Sequence, residues 1–165
     1  MLSLPLAFHW IHLLGVVAWI GGIVYILGVL LPAMPHVALR DRATFVPLLL
    51  RRFLVVVWIS IGAIVLTGLY RIFFVWDVTA PGFFASWPGR TLAEKLVLVG
   101  ALIGIAAKIT FLVVPQAIEH VRTHKNDSPD DYKCPQCLQV IGRLKRHLQF
   151  ALAIALVTIL WAARL

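Results

Sequence analysis

The sequence predicts an all-α fold: a polytopic membrane four-helix bundle with both termini outside, on the periplasmic side. Three observations predict it. Hydrophobic residues make up 61% of the 165 residues and charged ones 13%, against roughly 45 to 50% and 25% in soluble domains. The first 39 residues contain no Asp, Glu, Lys or Arg. Apolar runs at 6–31, 53–76, 96–118 and 148–163 are each close to the roughly 20 residues that cross a bilayer as a helix.

Residues 6–31 form the first span. A secretory signal would set a basic segment before a short apolar core, whereas nothing basic precedes Arg40, so this helix is expected to stay in the mature protein. Pro32 and Pro35 are expected to end it. The next loop holds Arg40, Arg42, Arg51 and Arg52 and a short interfacial helix, and 53–76 forms the second span. The segment 77–90 combines Pro81, Gly82, Pro88 and Gly89 with Phe83, Phe84 and Trp87, which suits a turn-rich loop lying on the membrane surface. The third span, 96–118, and the fourth, 148–163, flank a loop at 119–147, and the whole chain is read as one transmembrane domain.

Basic residues set the orientation. Four fall between the first two spans, and Arg122, Lys125, Lys133, Arg143, Lys145 and Arg146 fall between the last two, giving ten on one side. Arg71, Arg90, Lys95 and Arg164 lie on the other. The positive-inside rule then places the basic loops in the cytoplasm of a bacterial inner membrane. It also accounts for the net charge of +8 without a nucleic-acid partner; the expected surroundings are lipid.

Small residues mark candidate helix contacts. Gly15 and Gly22 lie on the first span, and Gly100 with Gly104 forms a GxxxG motif continued by Ala107 on the third. The reading expects close packing of these two spans, or an oligomer contact through Gly100 and Gly104. The alternative is that glycine is simply common in membrane helices.

The chemistry is expected at the outer ends. His12, Gly15, Trp19 and Gly22 share one face of the first span, with His9 one turn further out. Antiparallel packing brings Glu94 and Lys95 to a similar depth, and Tyr70, Arg71 and Trp76 close the same end. A histidine pair beside cations suits a haem b whose propionates meet Arg71 and Lys95, or a copper ion held by imidazoles. Ionisable groups inside a span are functional by default. The plainer alternative makes His9 interfacial, gives His12 a hydrogen bond to a neighbouring helix, and leaves the cations to mark the headgroups. A haem here would be five-coordinate or His/Lys-ligated, because the outer ends of the other spans carry no histidine.

Lys108 lies inside the third span with no acidic residue in any span to pair with, at a cost of ~2.5 to 3.5 kcal/mol. Snorkelling toward the cytoplasm along a helix loosened by Pro115 is the preferred reading; holding an anionic group or lining a polar path is the other. On the inner side, His120 and His124 at helical spacing precede Cys134 and Cys137 in a CPQC knuckle. Two imidazoles and two thiolates suit tetrahedral zinc, or Cu(I), with His147 as a spare ligand. Alternatives are dithiol exchange or a polar surface loop without a role.

Four segments carry a resemblance: HLLGVVAWIGG from His12, RRFLVVVWISIGAIVLTGLYR from Arg51, GRTLAEKLVLVGALIGIAAK from Gly89 and GRLKRHLQFALAIAL from Gly142. In order and spacing they resemble the CopD (copper resistance protein D) membrane family over essentially the whole chain, with matching positions at His12, Trp19, Gly22, Arg52, Gly68 and Lys95. The resemblance implies a helical inner-membrane protein of copper handling. The HemJ-like protoporphyrinogen oxidases, a related branch linked to haem b, also have a histidine at the position of His12 and a lysine at that of Lys95.

Three functions are therefore weighed. The first is copper uptake, tolerance or homeostasis through a metal at His9 and His12, with a periplasmic copper protein as partner. The second is a haem-b redox protein or respiratory subunit, the only form in which an enzyme, an oxidoreductase, is expected. The third is a non-catalytic subunit of a larger complex. With Met1 and Met34 as the only methionines, a ladder of thioethers is not the expected copper route.

Overall fold

A computed structural model of the chain describes residues 4–37, 39–74, 78–123 and 135–162. Four helices are long and apolar enough to cross a membrane: Leu4–Ala33, Thr44–Phe74, Trp87–Glu119 and Gln139–Trp161. No strand occurs among the described residues. At most 28% of each spanning window is buried inside the bundle, so these helices present apolar side chains such as Phe73, Val97 and Leu160 outward, at 69 to 72% exposure. Lipid, not water, is the solvent such surfaces require. The chain is a multi-pass membrane protein.

The helices overrun the apolar runs. The second is a single 36-residue helix, Leu39–Phe74, with Pro47 inside it, so the expected separate interfacial helix is instead its first turns. In the third loop, helix continues to Thr123 on one side and begins at Pro135 on the other. His120 and Cys137 therefore sit on helical backbone. His124 and Cys134, the other two members of the expected zinc set, lie outside the described residues, as does Trp76.

Two prolines shape the C-terminal halves of the first and third helices. A proline inside a helix removes one N–H and presses its ring on the carbonyl four residues back. Ahead of Pro32 the chain widens into a π turn at Ile26–Leu30, with the Leu31 N–H bonding to the Ile26 carbonyl. Ahead of Pro115 it does the same at Ile109–Val113, with Val114 bonding to Ile109. Each widened turn bonds five residues back and relieves the clash, so the helix continues. The first helix then tightens into a 3₁₀ turn at Met34–His36 and ends on extended Val37.

Packing is closest between the first two helices. A Cβ at Gly22 would stand 2.7 Å from the Phe53 ring, and one at Gly15 would stand 3.0 Å from Ile64 Cγ1. The glycines of the first helix thus admit the second helix, not the third as expected from the sequence. Gly100 and Gly104 are exposed and meet nothing within 4 Å, so the GxxxG face makes no contact inside the described chain. Trp19, Ile23, Val57, Leu102, Ile109 and Leu148 meet in the shared core. Trp58 Nε1 donates to Thr110 Oγ1 at 3.2 Å, tying the second helix to the π turn of the third.

The connection between the second and third helices folds tightly. Gly82 takes φ +79, where side chains are strained, and a 3₁₀ turn, Phe83–Ala85, leads to Ser86, whose Oγ caps the third helix by accepting from the Gly89 N–H. A Cβ at Gly89 would come 2.7 Å from the Phe83 carbonyl carbon, so only glycine lets the helix start so close to the turn.

Candidate functional site

Four basic side chains gather at the end of the bundle where the first helix starts. The first two helices meet there through a run of paired contacts. Phe8 stacks on Tyr70 at 4.2 Å and Tyr70 on Phe74 at 5.1 Å. The adjacent residues also meet, with Arg71 Nη1 3.1 Å from His9 Nδ1, and the next turn places His12 Nδ1 2.8 Å from Thr67 Oγ1. Positions 9 and 12 on one helix and 67 and 71 on the other each lie about one turn apart, which keeps each pair on one face.

These bonds favour one tautomer on each ring. The Thr67 hydroxyl has one hydrogen, which it gives to the Ala63 carbonyl at 2.6 Å. With that hydrogen on the Ala63 carbonyl, Thr67 Oγ1 accepts from His12 Nδ1, the tautomer that would leave the Nε2 lone pair for a ligand. Arginine has donors only, so at His9 it is Nδ1 that accepts from Arg71 and Nε2 that carries the proton. The pattern favours opposite tautomers on the two imidazoles. On this pattern Nε2 is the His12 nitrogen without a hydroxyl partner, and Nδ1 of His9 is held by Arg71.

Lys95, on the third helix, is close enough to His12 and Arg71 for their charges to interact. The carboxylate of its neighbour Glu94 keeps its charge while its Oε2 accepts from Trp161 Nε1 at 2.7 Å, which joins the third helix to the fourth. Gly68 flanks the His12 ring: a Cβ there would stand 4.0 Å from Cε1. The group His9, His12, Arg71 and Lys95 is thus assembled at one end, as antiparallel packing requires. Trp19, expected with it, is 8% exposed and belongs to the apolar core two turns deeper.

Thr67 was not among the residues singled out from sequence. Its signal was present: a hydroxyl four residues before Arg71, hence on the same helical face. Among the described residues no group of three or more His, Cys, Asp or Glu could hold a metal ion, so any ion at this end would rest on the two imidazoles and on groups the ligand brings. His147 turns its Nδ1 to the Arg143 carbonyl of its own helix at 2.8 Å.

A family model described as Copper resistance protein D matches residues 47–165. The match holds Thr67, Gly68, Arg71 and Lys95 and begins after the first helix, so the likeness seen at His12 to Gly22 lies outside it. Comparison with curated proteins and with solved structures finds no match. Since the matched segment is 119 of the 165 residues and carries three of the four membrane helices, the chain belongs to the copper resistance protein D family.

Proposed function

We propose that this protein handles copper in a bacterial inner membrane, holding the ion at His12 in the outer half of the bundle and serving copper uptake, tolerance or homeostasis. The observation that carries the reading is the bond between Thr67 Oγ1 and His12 Nδ1, which favours the tautomer with an unprotonated Nε2 inside a span; a metal-binding histidine is commonly fixed in this way by a partner on its other nitrogen. His9 would supply a second imidazole once Arg71 moves away. The positive-inside count supports a periplasmic site, reached by copper from a soluble periplasmic carrier. Zinc or Cu(I) at His120, His124, Cys134 and Cys137 is a separate proposal resting on ligand type and spacing alone.

One observation favours a second reading. Arg71 and Lys95 lie beside the histidines, and the nearby Glu94 carboxylate is engaged by Trp161, an arrangement that suits the propionates of a haem b with His12 as axial ligand. Haem would supply one-electron chemistry; the chain's own part would be to orient the imidazole and pair the carboxylates.

The test is an absorption spectrum of the detergent-purified protein, oxidised and reduced, with metal analysis of the same sample. Stoichiometric copper without a Soret band, lost in His12→Ala, is the expected result. A Soret band lost in that variant selects the haem reading, and cofactor content unchanged by His12→Ala overturns both. Cys134→Ser with Cys137→Ser should remove zinc and leave the outer ligand in place.

A further inference from the structure

The third helix carries a cation on the wrong side of the bundle. Lys108 is exposed, with no partner among the described residues, and it lies 12 positions from Leu96 and 10 from Ile118. At about 1.5 Å per residue that is roughly 18 Å and 15 Å from the ends of the apolar run, near the midplane of the bilayer. A four-carbon stem covers less than half of either distance. Helical Cα–Cβ bonds tilt toward the N-terminus, which leads this side chain away from the cytoplasmic headgroups. Snorkelling, the reading preferred from sequence, therefore does not bring the ammonium to water.

The surface around it is shaped for contact. Gly100, Ala101 and Gly104 are exposed on the same face, one and two turns before Lys108, and a Cβ built on either glycine meets nothing within 4 Å. A second helix can approach this backbone closely and lie directly over the lysine. A second copy of this chain does not complete the charge. The acidic residues are Asp41, Asp77, Glu94, Glu119, Asp127, Asp130 and Asp131; the two on the third span lie 14 and 11 positions from Lys108, and like-oriented copies would set lysine against lysine.

We propose that this face docks a transmembrane helix of a different chain that carries a carboxylate near the bilayer midplane, paired with Lys108 across the Gly100 and Gly104 surface. The partner is defined by charge complementarity at matched depth. The inference stands apart from the copper reading, since His12 and Lys108 lie at different depths and different faces of the bundle.

The full chain, labelled with an acceptor dye at its N-terminus, is reconstituted in phosphatidylcholine vesicles and titrated with donor-labelled synthetic leucine-alanine helices of about 20 residues, carrying a central Asp or a central Leu. Energy transfer is expected to show the Asp helix binding about tenfold more tightly or better. The preference should vanish in Lys108→Leu, survive in Lys108→Arg and weaken in Gly104→Phe. Equal binding of the two helices, or a preference that persists in Lys108→Leu, overturns the proposal. Energy transfer between two labelled copies that is lost in Gly104→Phe would assign the face to self-association and overturn it as well. Lys108→Leu makes the span more apolar, and the far-UV circular dichroism and single gel-filtration peak of each variant report that the rest of the bundle is intact.

Discussion

Replacing Thr67 with valine tests the link between geometry and function most directly. The substitution keeps the shape of a side chain that is 2% exposed and removes the one oxygen that accepts from His12 Nδ1. The orphaned N–H costs about 1 to 3 kcal/mol if it stays. The ring escapes that cost by moving its proton to Nε2 or by rotating, and either response withdraws the lone pair that the copper reading assigns to the metal. Loss of such a supporting partner typically weakens metal binding by roughly 10 to 100-fold, or ~1.4 to 2.8 kcal/mol. In the metal-free protein the tautomer shift is open to the ring, so folding stability should fall by less than metal affinity does.

The assay is Cu(I) affinity by competition with a chromophoric chelator under reducing conditions, on wild type, Thr67→Val, Thr67→Ser and His12→Ala. Thr67→Ser keeps the hydroxyl and should stay near wild type, while Thr67→Val should fall by the stated factor and His12→Ala further. Wild-type affinity in Thr67→Val would refute the tautomer argument. So would an equal loss in Thr67→Ser, which would mean that packing of the methyl group and not the hydrogen bond is what matters.

Arg71→Leu frees His9 Nδ1 and removes a nearby cation, so Cu(I) affinity should rise, read by the same competition; a haem protein would instead lose cofactor with a propionate partner. Gly22→Leu drives a side chain into Phe53, whose ring is already 2.7 Å from a built Cβ, and should destabilise the bundle by about 1 to 3 kcal/mol in denaturant titrations in detergent; Gly62→Ala, with nothing within 4 Å, should be neutral or slightly stabilising. Gly89→Ala meets the backbone of Phe83 and Phe84, and should show its loss of stability as faster hydrogen exchange in the loop and first turn of the third helix.

Hydropathy made the four spans legible, because a run of about 20 apolar residues has few other uses. Their limits were hidden by chemistry that hydropathy ignores. Leu39 to Arg52 is polar enough to fall outside an apolar window yet helical, so it joins the second span. Pro115 marks a disturbance, and only the π turn shows that the helix passes through it. Which helices touch was not legible either: Gly15 and Gly22 announce a close neighbour without naming it, and Gly104 has the same local pattern but faces outward. At the site, antiparallel order was enough to bring His9, His12, Arg71 and Lys95 to one end. The tautomers were not available, since they depend on which ring nitrogen meets Thr67 and which meets Arg71.

The charges at this end bear on what His12 can accept. Arg71 and Lys95 repel any cation beside the imidazole, and by Coulomb's law a divalent ion is repelled twice as strongly as a monovalent one at the same place. Thr67 and Arg71 are the hydrogen-bond partners of the two imidazoles, so an arriving ion meets two cations and neutral nitrogen donors around His12. On the copper reading this favours Cu(I) over Cu(II) or zinc, even though no soft thioether or thiolate lies among the described site residues, because imidazole serves both metals and the electrostatic cost separates them. It also favours copper that arrives with an anionic group of its own, which Arg71 could receive while letting go of His9. Release of Arg71 and recruitment of His9 would then be one event, and the opposite tautomers of the two histidines are the resting state from which it starts.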